Sequence, residues 1–333
     1  LLPESDDGID MALPDFFVIG APKAGTTALH VALSEHPSVF MSPVKEPKFF
    51  LCDGPPPRSG GPGDAHSYRE WIWRQHDYEA LFDAATAGAL RGESTPFYLS
   101  DLSSHDRIHR LAPNARLIAL LRDPVDRAYS NWAHLWADGL EPISDFVQAC
   151  AAEPERLAAG WAPFWRYRST GLYGEQLTHL LSVFPREQVL LLRYKYLVDE
   201  PRAALDDVCG FLGIEQGVLA DIPPHNVGTY VPPTVYDRSL RRIFRVGAAL
   251  GSNFPPEVWR RASVPLLWLI QRRPEHRPEL SEEARAALTE YFADDVAVVE
   301  QLTGWDLGEW LSHRQGSTYS VRRSWAPSRR VAS

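Results

Sequence analysis

Cysteine is almost missing from this chain: 333 residues hold three, Cys52, Cys150 and Cys209. An odd number without metal-ligand spacing excludes a disulfide framework and a zinc-ribbon reading. Reduced thiols in a cytoplasmic enzyme are the expectation. Long apolar runs are missing too. Stretches such as Val264–Ile270 are too short to cross a bilayer, and no basic-then-apolar signal opens the chain, which begins at Leu1 as a trimmed start would. Net positive charge is absent, since 34 Lys and Arg face 43 Asp and Glu for a balance of -9. That field repels a polyanion, so nucleic acid is not an expected partner, whereas a small anion held by local donors stays open. Internal repeats and an internal domain boundary are also lacking.

What is present is ordinary for a globular protein, with 44% hydrophobic and 23% charged residues. Phe16–Ile19, ending at Gly20, reads as a fully buried strand. A helix is expected from Thr26 to Glu35, with Leu29, Ala32, Leu33 and His36 on one face and Pro37 as its stop. Further strands are expected at Val39–Met41, Leu90–Glu93, Arg116–Leu121 and Val189–Arg193. Intervening helices make this an α/β, P-loop-like three-layer fold, a central parallel sheet flanked by helices. The Pro- and Gly-rich stretch at about 54–66 is expected to be a mobile loop. Near the end, Ser281 caps a helix whose buried face is Ala284, Ala287, Leu288, Tyr291, Val298 and Leu302, ended by Gly304. Residues 1–13 are expected to be disordered, 14–312 a single domain and 313–333 a basic disordered tail.

Gly20-Ala21-Pro22-Lys23-Ala24-Gly25-Thr26-Thr27 lies between the first strand and helix, with the glycine spacing of a nucleotide-binding P-loop. Glycines let backbone N–H groups approach an anion, and a helix N-terminus adds partial positive charge. A nucleoside-triphosphate loop carries its lysine directly after the second glycine. Here Thr26 holds that place and the lysine stands at position 23, which fits a shorter phosphate chain. No apolar strand ends in an obvious magnesium-holding Asp. Alone, such a loop is equally a strand–helix turn that binds nothing. A second motif follows: the strand to Leu121, then Arg122, Asp123 as N-cap and Pro124 at the first helical position. On that helix Val125, Ala128, Tyr129, Trp132, Leu135 and Trp136 form the apolar stripe, with Arg127, Ser130, Asn131 and His134 opposite. Arg122 and Ser130 supply a charged fork and a single donor, suited to one phosphate.

The two motifs in this order resemble the PAPS-dependent sulfotransferase family, especially its carbohydrate (heparan-sulfate-type) branch and bacterial relatives; PAPS is 3'-phosphoadenosine-5'-phosphosulfate. The likeness runs on through Leu172-Tyr173, Phe184-Pro185, Val189–Tyr194 and Phe211-Leu212-Gly213. The resemblance implies a single sulfotransferase domain over 14–312 that uses PAPS as co-substrate, with no metal. Lys23, Ala24, Gly25, Thr26 and Thr27 would hold the 5'-phosphosulfate, Arg122 and Ser130 the 3'-phosphate, and Tyr173 would lie near the nucleotide. In Lys45-Glu46-Pro47-Lys48-Phe49-Phe50 it makes Glu46 the general base, against the plain reading of a loop carboxylate paired with Lys45 or Lys48. Lys48 would meet the sulfuryl group or acceptor. His134 would assist proton transfer, bind acceptor, or support either through a hydrogen bond. Trp161 and Trp165 are candidates for an acceptor-facing lid. One departure stands out: Arg91-Gly92-Glu93-Ser94 places Ser94 where several heparan-type enzymes carry lysine, which argues against a heparan acceptor. The late loop over the 3'-phosphate should fall at His225–Tyr230, without its usual lysine-glycine pair. A small molecule, a glycan or a lipidic natural product all suit the aromatic surfaces. A P-loop kinase or NTPase, or a noncatalytic nucleotide-binding scaffold, would share parts of this pattern.

Overall fold

A computed structural model describes residues 13–219 and 280–312. The strand Phe16–Gly20 (β1) lacks a polar face, and all five residues are buried, as a central parallel strand demands. It lies between Leu90–Ser94 (β3) and Arg116–Leu121 (β4), with Val39–Met41 (β2) and Val189–Arg193 (β5) outside them, in the order β2-β3-β1-β4-β5. Every pairing is parallel. Connections from β1 and β4 leave in opposite directions, so the crevice for a ligand opens at the carboxyl ends of these two strands.

The longer helices are Thr26–Ser34 (α1), Leu102–Leu111 (α2), Pro124–Ala137 (α3), Tyr173–Val183 (α4), Pro201–Leu212 (α5) and Glu282–Thr303 (α6). Right-handed crossovers put α1 on one face and the β3–β4 and β4–β5 connections, with α2 and α4, on the other. Accordingly α1 packs on β1, β2 and β3, while α4 packs on α2 and α6. Beyond α5 the chain returns to the end of α1, where His36 Nε2 bonds the Glu215 carbonyl at 3.0 Å.

Local chemistry sets the start of α3. Asp123 accepts from the Val125 and Asp126 N–H groups, and Pro124 occupies the first turn, where its missing N–H costs nothing. All six residues of the expected apolar stripe are buried. Two of the expected polar residues are buried as well: the Arg127 guanidinium donates to the Tyr167 carbonyl and Asn131 Nδ2 to Phe164 O. The 161–171 segment covers α3 on its second side, so these side chains serve backbone carbonyls rather than solvent.

On α6, Ser281 accepts from Ala284 N–H and Gly304 closes the helix at φ 71°, as the sequence predicts. Its buried face is rotated from the expected one. Leu288, Phe292, Val296 and Val299 face inward, whereas Ala287 and Tyr291 are exposed. The docking against α4 selects this face, because Gly174 leaves room there for Asp295 and Val298, which a Cβ would meet at 2.7–2.8 Å.

The 54–66 stretch also departs from expectation. Asp64 is buried and accepts from Gly61 N–H at 2.6 Å, Ala162 N–H at 2.8 Å and Trp165 Nε1 at 2.8 Å. Gly61 lies so close to Trp161 and Trp165 that a Cβ would approach within 2.6–2.8 Å. One half of the loop is therefore pinned to the body. Leu13 is likewise buried rather than loose. The expectations for residues 1–12, for the tail 313–333, for His225–Tyr230 and for the Val264–Ile270 run lie outside the described residues. Among the described residues no helix is long and apolar enough to cross a membrane.

Candidate active site

The loop after β1 turns into α1 through Gly25, whose φ is 89°. A side chain there would also meet the Tyr194 ring at 3.2 Å, so glycine is required both for the turn and for the close approach. Among the described residues no side chain caps α1, a 9-residue helix whose first-turn N–H groups are of the kind that hold an anion. Ala24 is wholly buried and Thr26 nearly so, while Thr27 is half-buried. Ala24 therefore presents no side chain to the crevice. Lys23 stands at φ 68°, in the left-handed region.

At the end of β4, Arg122 reaches this loop: its Nη1 donates to the Lys23 carbonyl at 2.9 Å, and its guanidinium lies 4.8 Å over the Tyr194 ring. The two motifs thus converge at the carboxyl ends of the interior strands β1 and β4. Ser130 follows on α3, half-buried. Tyr173 is wholly buried; burial is the main force pushing its phenol up to about 12, with the Arg127 guanidinium opposing. It packs against Trp310 at 6.2 Å, within reach of the charges of Arg127 and Arg122.

Glu46 and Lys48 both have φ 62°. With Lys23 they are the three non-glycine residues in the left-handed region among those described, and each such residue stores on the order of 1–3 kcal/mol that the surroundings must offset. The segment is held at both ends. Phe50 is buried against Phe17 (5.6 Å), Tyr78 and Tyr98, and Phe49 stacks on Tyr78 at 4.2 Å. Glu46 N–H donates to Ser94 O at 3.0 Å. The carboxylate pairs with Lys45 Nζ at 2.6 Å, with both side chains about a quarter exposed. Lys48 Nζ sits 3.5 Å from Ser67 Oγ and 5.9 Å over the Trp71 ring.

His134 is half exposed and lies 3.5 Å from Asp138. Partial burial holds its imidazole below the ordinary value. Asp138 opposes, Lys23 adds to the lowering and Glu46 opposes again, so His134 feels the charges of both other catalytic candidates. Trp165 does not face a crevice. It is buried, bonded to Asp64, and with Trp161 packs on the Arg156 guanidinium at 5.1–5.2 Å. Trp161 is half-buried, 4.9 Å from Trp165. Together they form a wall under the 61–64 turn. Among the described residues no group of three or more His, Cys, Asp or Glu side chains is arranged to hold a metal ion.

Sequence reasoning passed over three contributors: Tyr194 under Arg122, Asp64 at the centre of the tryptophan wall, and His30. His30 Nδ1 lies 3.1 Å from Ser94 Oγ. Its one sequence signal is the spacing to Thr26, a single helical turn along α1.

Beneath Glu46, Glu93 is wholly buried and accepts from Thr95 Oγ1 at 2.6 Å, from Tyr78 and from Tyr98. Burial pushes its carboxyl up to about 7 against those three donors, and Glu46 adds to the rise. Between the unfolded value of 4.5 and the folded value near 7 the folded chain keeps a proton that the unfolded chain has released. Raising the pH through that window therefore destabilises the fold. The stability difference between Glu93→Gln and wild type is expected to move in the variant's favour by about 2–3 kcal/mol from pH 5 to pH 8. Denaturant titrations at both pH values check it, and a pH-independent difference would refute it.

The family model described as "Sulfotransferase family" matches residues 14–217, a segment that contains Lys23, Glu46, Arg122, Ser130, His134 and Tyr173. Human bifunctional heparan sulfate N-deacetylase/N-sulfotransferase 2 is 30% identical over 210 residues, covering 61% of this chain and 22% of that protein. Human heparan sulfate glucosamine 3-O-sulfotransferase 6 is 29% identical over 207 residues, covering 62% and 54%. The chain thus matches between about a fifth and about half of these relatives' lengths. Among solved structures, a sulfotransferase from Alicyclobacillus acidocaldarius is 31% identical with a TM-score of 0.69, covering 90% of this chain and 99% of that one.

Proposed function

The chain belongs to the sulfotransferase family, and from that premise we propose that it transfers a sulfuryl group from PAPS to an acceptor hydroxyl or amine by in-line displacement. The observation that carries the proposal is the meeting of Arg122 with the Lys23 carbonyl, which joins two anion-binding motifs into one crevice at the switch point of the sheet. The donor supplies an activated sulfuryl group with a phosphate as leaving group; the chain's own residues do the rest. The uncapped N-terminus of α1, with Gly25, Thr26 and Thr27, cradles the 5'-phosphosulfate. Arg122 and Ser130 take the 3'-phosphate.

Lys23 neutralises the charge that grows on the departing oxygen, and Glu46 removes the acceptor proton. Lys45 Nζ pairs with the Glu46 carboxylate in the resting enzyme. Lys48 contacts the acceptor or the sulfuryl oxygens, and His134 serves the proton path or the acceptor. A transferred sulfuryl group carries less negative charge than a phosphoryl group, so the cations of this crevice take the place of a metal. We place the enzyme in the cytoplasm, where its three free cysteines stay reduced. The heparan-type relatives fit a glycan acceptor, Ser94 argues against heparan itself, and small-molecule and lipidic acceptors fit as well.

Isothermal calorimetry tests this reading. Adenosine 3',5'-bisphosphate (PAP) is expected to bind without metal at least about 100-fold more tightly than ATP with magnesium, a difference of about 2.7 kcal/mol. Tighter, magnesium-dependent ATP binding would instead make the chain a kinase or NTPase. Transfer of label from radiolabelled PAPS to a phenol (2-naphthol) and to a de-N-sulfated glucosamine oligosaccharide then sorts O- from N-acceptors.

A further inference from the structure

Glu46 must be held in a backbone conformation that a glutamate disfavours, and the structure shows what holds it. β2 stops pairing with β3 at Met41–Gly92. Past that point the 42–46 segment continues the ladder by itself, with Ser42 N–H donating to Gly92 O at 2.8 Å and Glu46 N–H to Ser94 O at 3.0 Å. Ser94 is the last residue of β3, wholly buried, and its other neighbour in the sheet is Val18. Its hydroxyl meets the His30 imidazole at 3.1 Å, a contact that joins α1 to the strand on which the Glu46 segment pairs.

We propose that His30 is a positioning residue for the base: through Ser94 it fixes the rung from which Glu46 hangs, and so ties the nucleotide-cradling helix to the proton acceptor. The inference rests on Glu46 being the base. Among the described residues the charged groups that bear on the ring belong to that same segment: Lys45, which works against protonation, and Glu46, which favours it. With burial as the largest influence the imidazole is lowered to about 4. His30 is therefore neutral in the working range and acts by hydrogen bonding, not by charge. Chemically, a neutral ring and a serine hydroxyl share one proton between them, and the serine carbonyl remains free to receive the Glu46 N–H.

The test compares His30→Ala, His30→Asn, Ser94→Ala and the double alanine variant. Turnover is read as PAP release from PAPS, with water alone and with 2-naphthol, and PAP affinity by calorimetry. His30→Ala and Ser94→Ala are each expected to lower kcat about tenfold with PAP affinity within twofold of wild type, a loss of about 1.4 kcal/mol in each case. The double variant should fall no further than either single one, since both remove the same bond. Asn places an amide where Nδ1 stood, so His30→Asn should recover kcat to within about threefold. A readout independent of activity is the imidazole 15N spectrum, in which the His30 Nδ1 signal should move in Ser94→Ala. Multiplicative losses in the double variant, an unmoved Nδ1 signal, or no rescue by Asn would overturn the proposal. If His30→Ala does not fold, Ser94→Ala and the spectrum still decide. Wild-type turnover in Glu46→Gln removes the base and the brace together. An inactive Glu46→Gln beside a fully active His30→Ala removes the brace alone.

Discussion

Glu46→Gln is expected to lower the rate of sulfuryl transfer by about 10²–10⁴, the usual range for loss of a general base, while PAP affinity stays within about twofold. Glutamine keeps the shape and the N–H anchor on Ser94 O but cannot accept a proton. Folding is expected to suffer little. The lost partner, Lys45, is a quarter exposed and can turn to water. Single-turnover consumption of PAPS separates the chemical step from binding and release. Turnover within threefold of wild type would end the assignment of Glu46 as base.

Lys23→Gly carries the second large effect, and its value lies in two readouts that move apart. The side chain at position 23 sits at φ 68°, a conformation that costs a lysine on the order of 1–3 kcal/mol and a glycine almost nothing. Glycine also raises the entropy of the unfolded chain by about 0.5–1 kcal/mol. On these two effects the variant is expected to match wild-type stability or exceed it by up to about 2.5 kcal/mol. Turnover should nevertheless fall by about 10²–10³, the loss seen when a donor to a developing negative charge is removed. A protein as stable as the parent and a hundredfold slower has lost its contact with the donor or the chemistry, not its fold. Equal losses in stability and rate would mean that the lysine is structural.

The parts of the fold legible in the sequence are those whose cause is local. β1, β2, β4 and β5 are short apolar runs bounded by breakers; Asp123 with Pro124, and Ser281 with Gly304, are end signals that act within one turn. The misreadings concern partners distant in the chain. Arg127 and Asn131 look solvated on a helical wheel, yet carbonyls some 30–40 residues away accept their protons. Gly60-Gly61-Pro62-Gly63 has the composition of a mobile loop whether or not a tryptophan packs on Gly61. Asp64, with three donors gathered from two segments, gives no sign of this in its neighbours. The same holds for the site. Lys23, Arg122 and Ser130 follow from motif and spacing, and the Glu46 assignment from resemblance. His30 is invisible because its partner arrives from another strand.

The arrangement of α6 bears on how such proteins diverge. Its Arg285 pairs with Asp123 at 3.4 Å and also with Asp126, and its Asp295 receives the first N–H groups of α4 at 2.8 and 3.2 Å. Burial, with the charge of Asp126, drives the Asp123 carboxyl up to about 6, and Arg285 counters this. A helix outside the matched 14–217 segment thus pairs with the very carboxylate that starts the helix bearing Ser130. Recombining the first 217 residues of one relative with the remainder of another would exchange this clasp wholesale. Such a graft would show how far the start of the Ser130 helix depends on chain beyond residue 217.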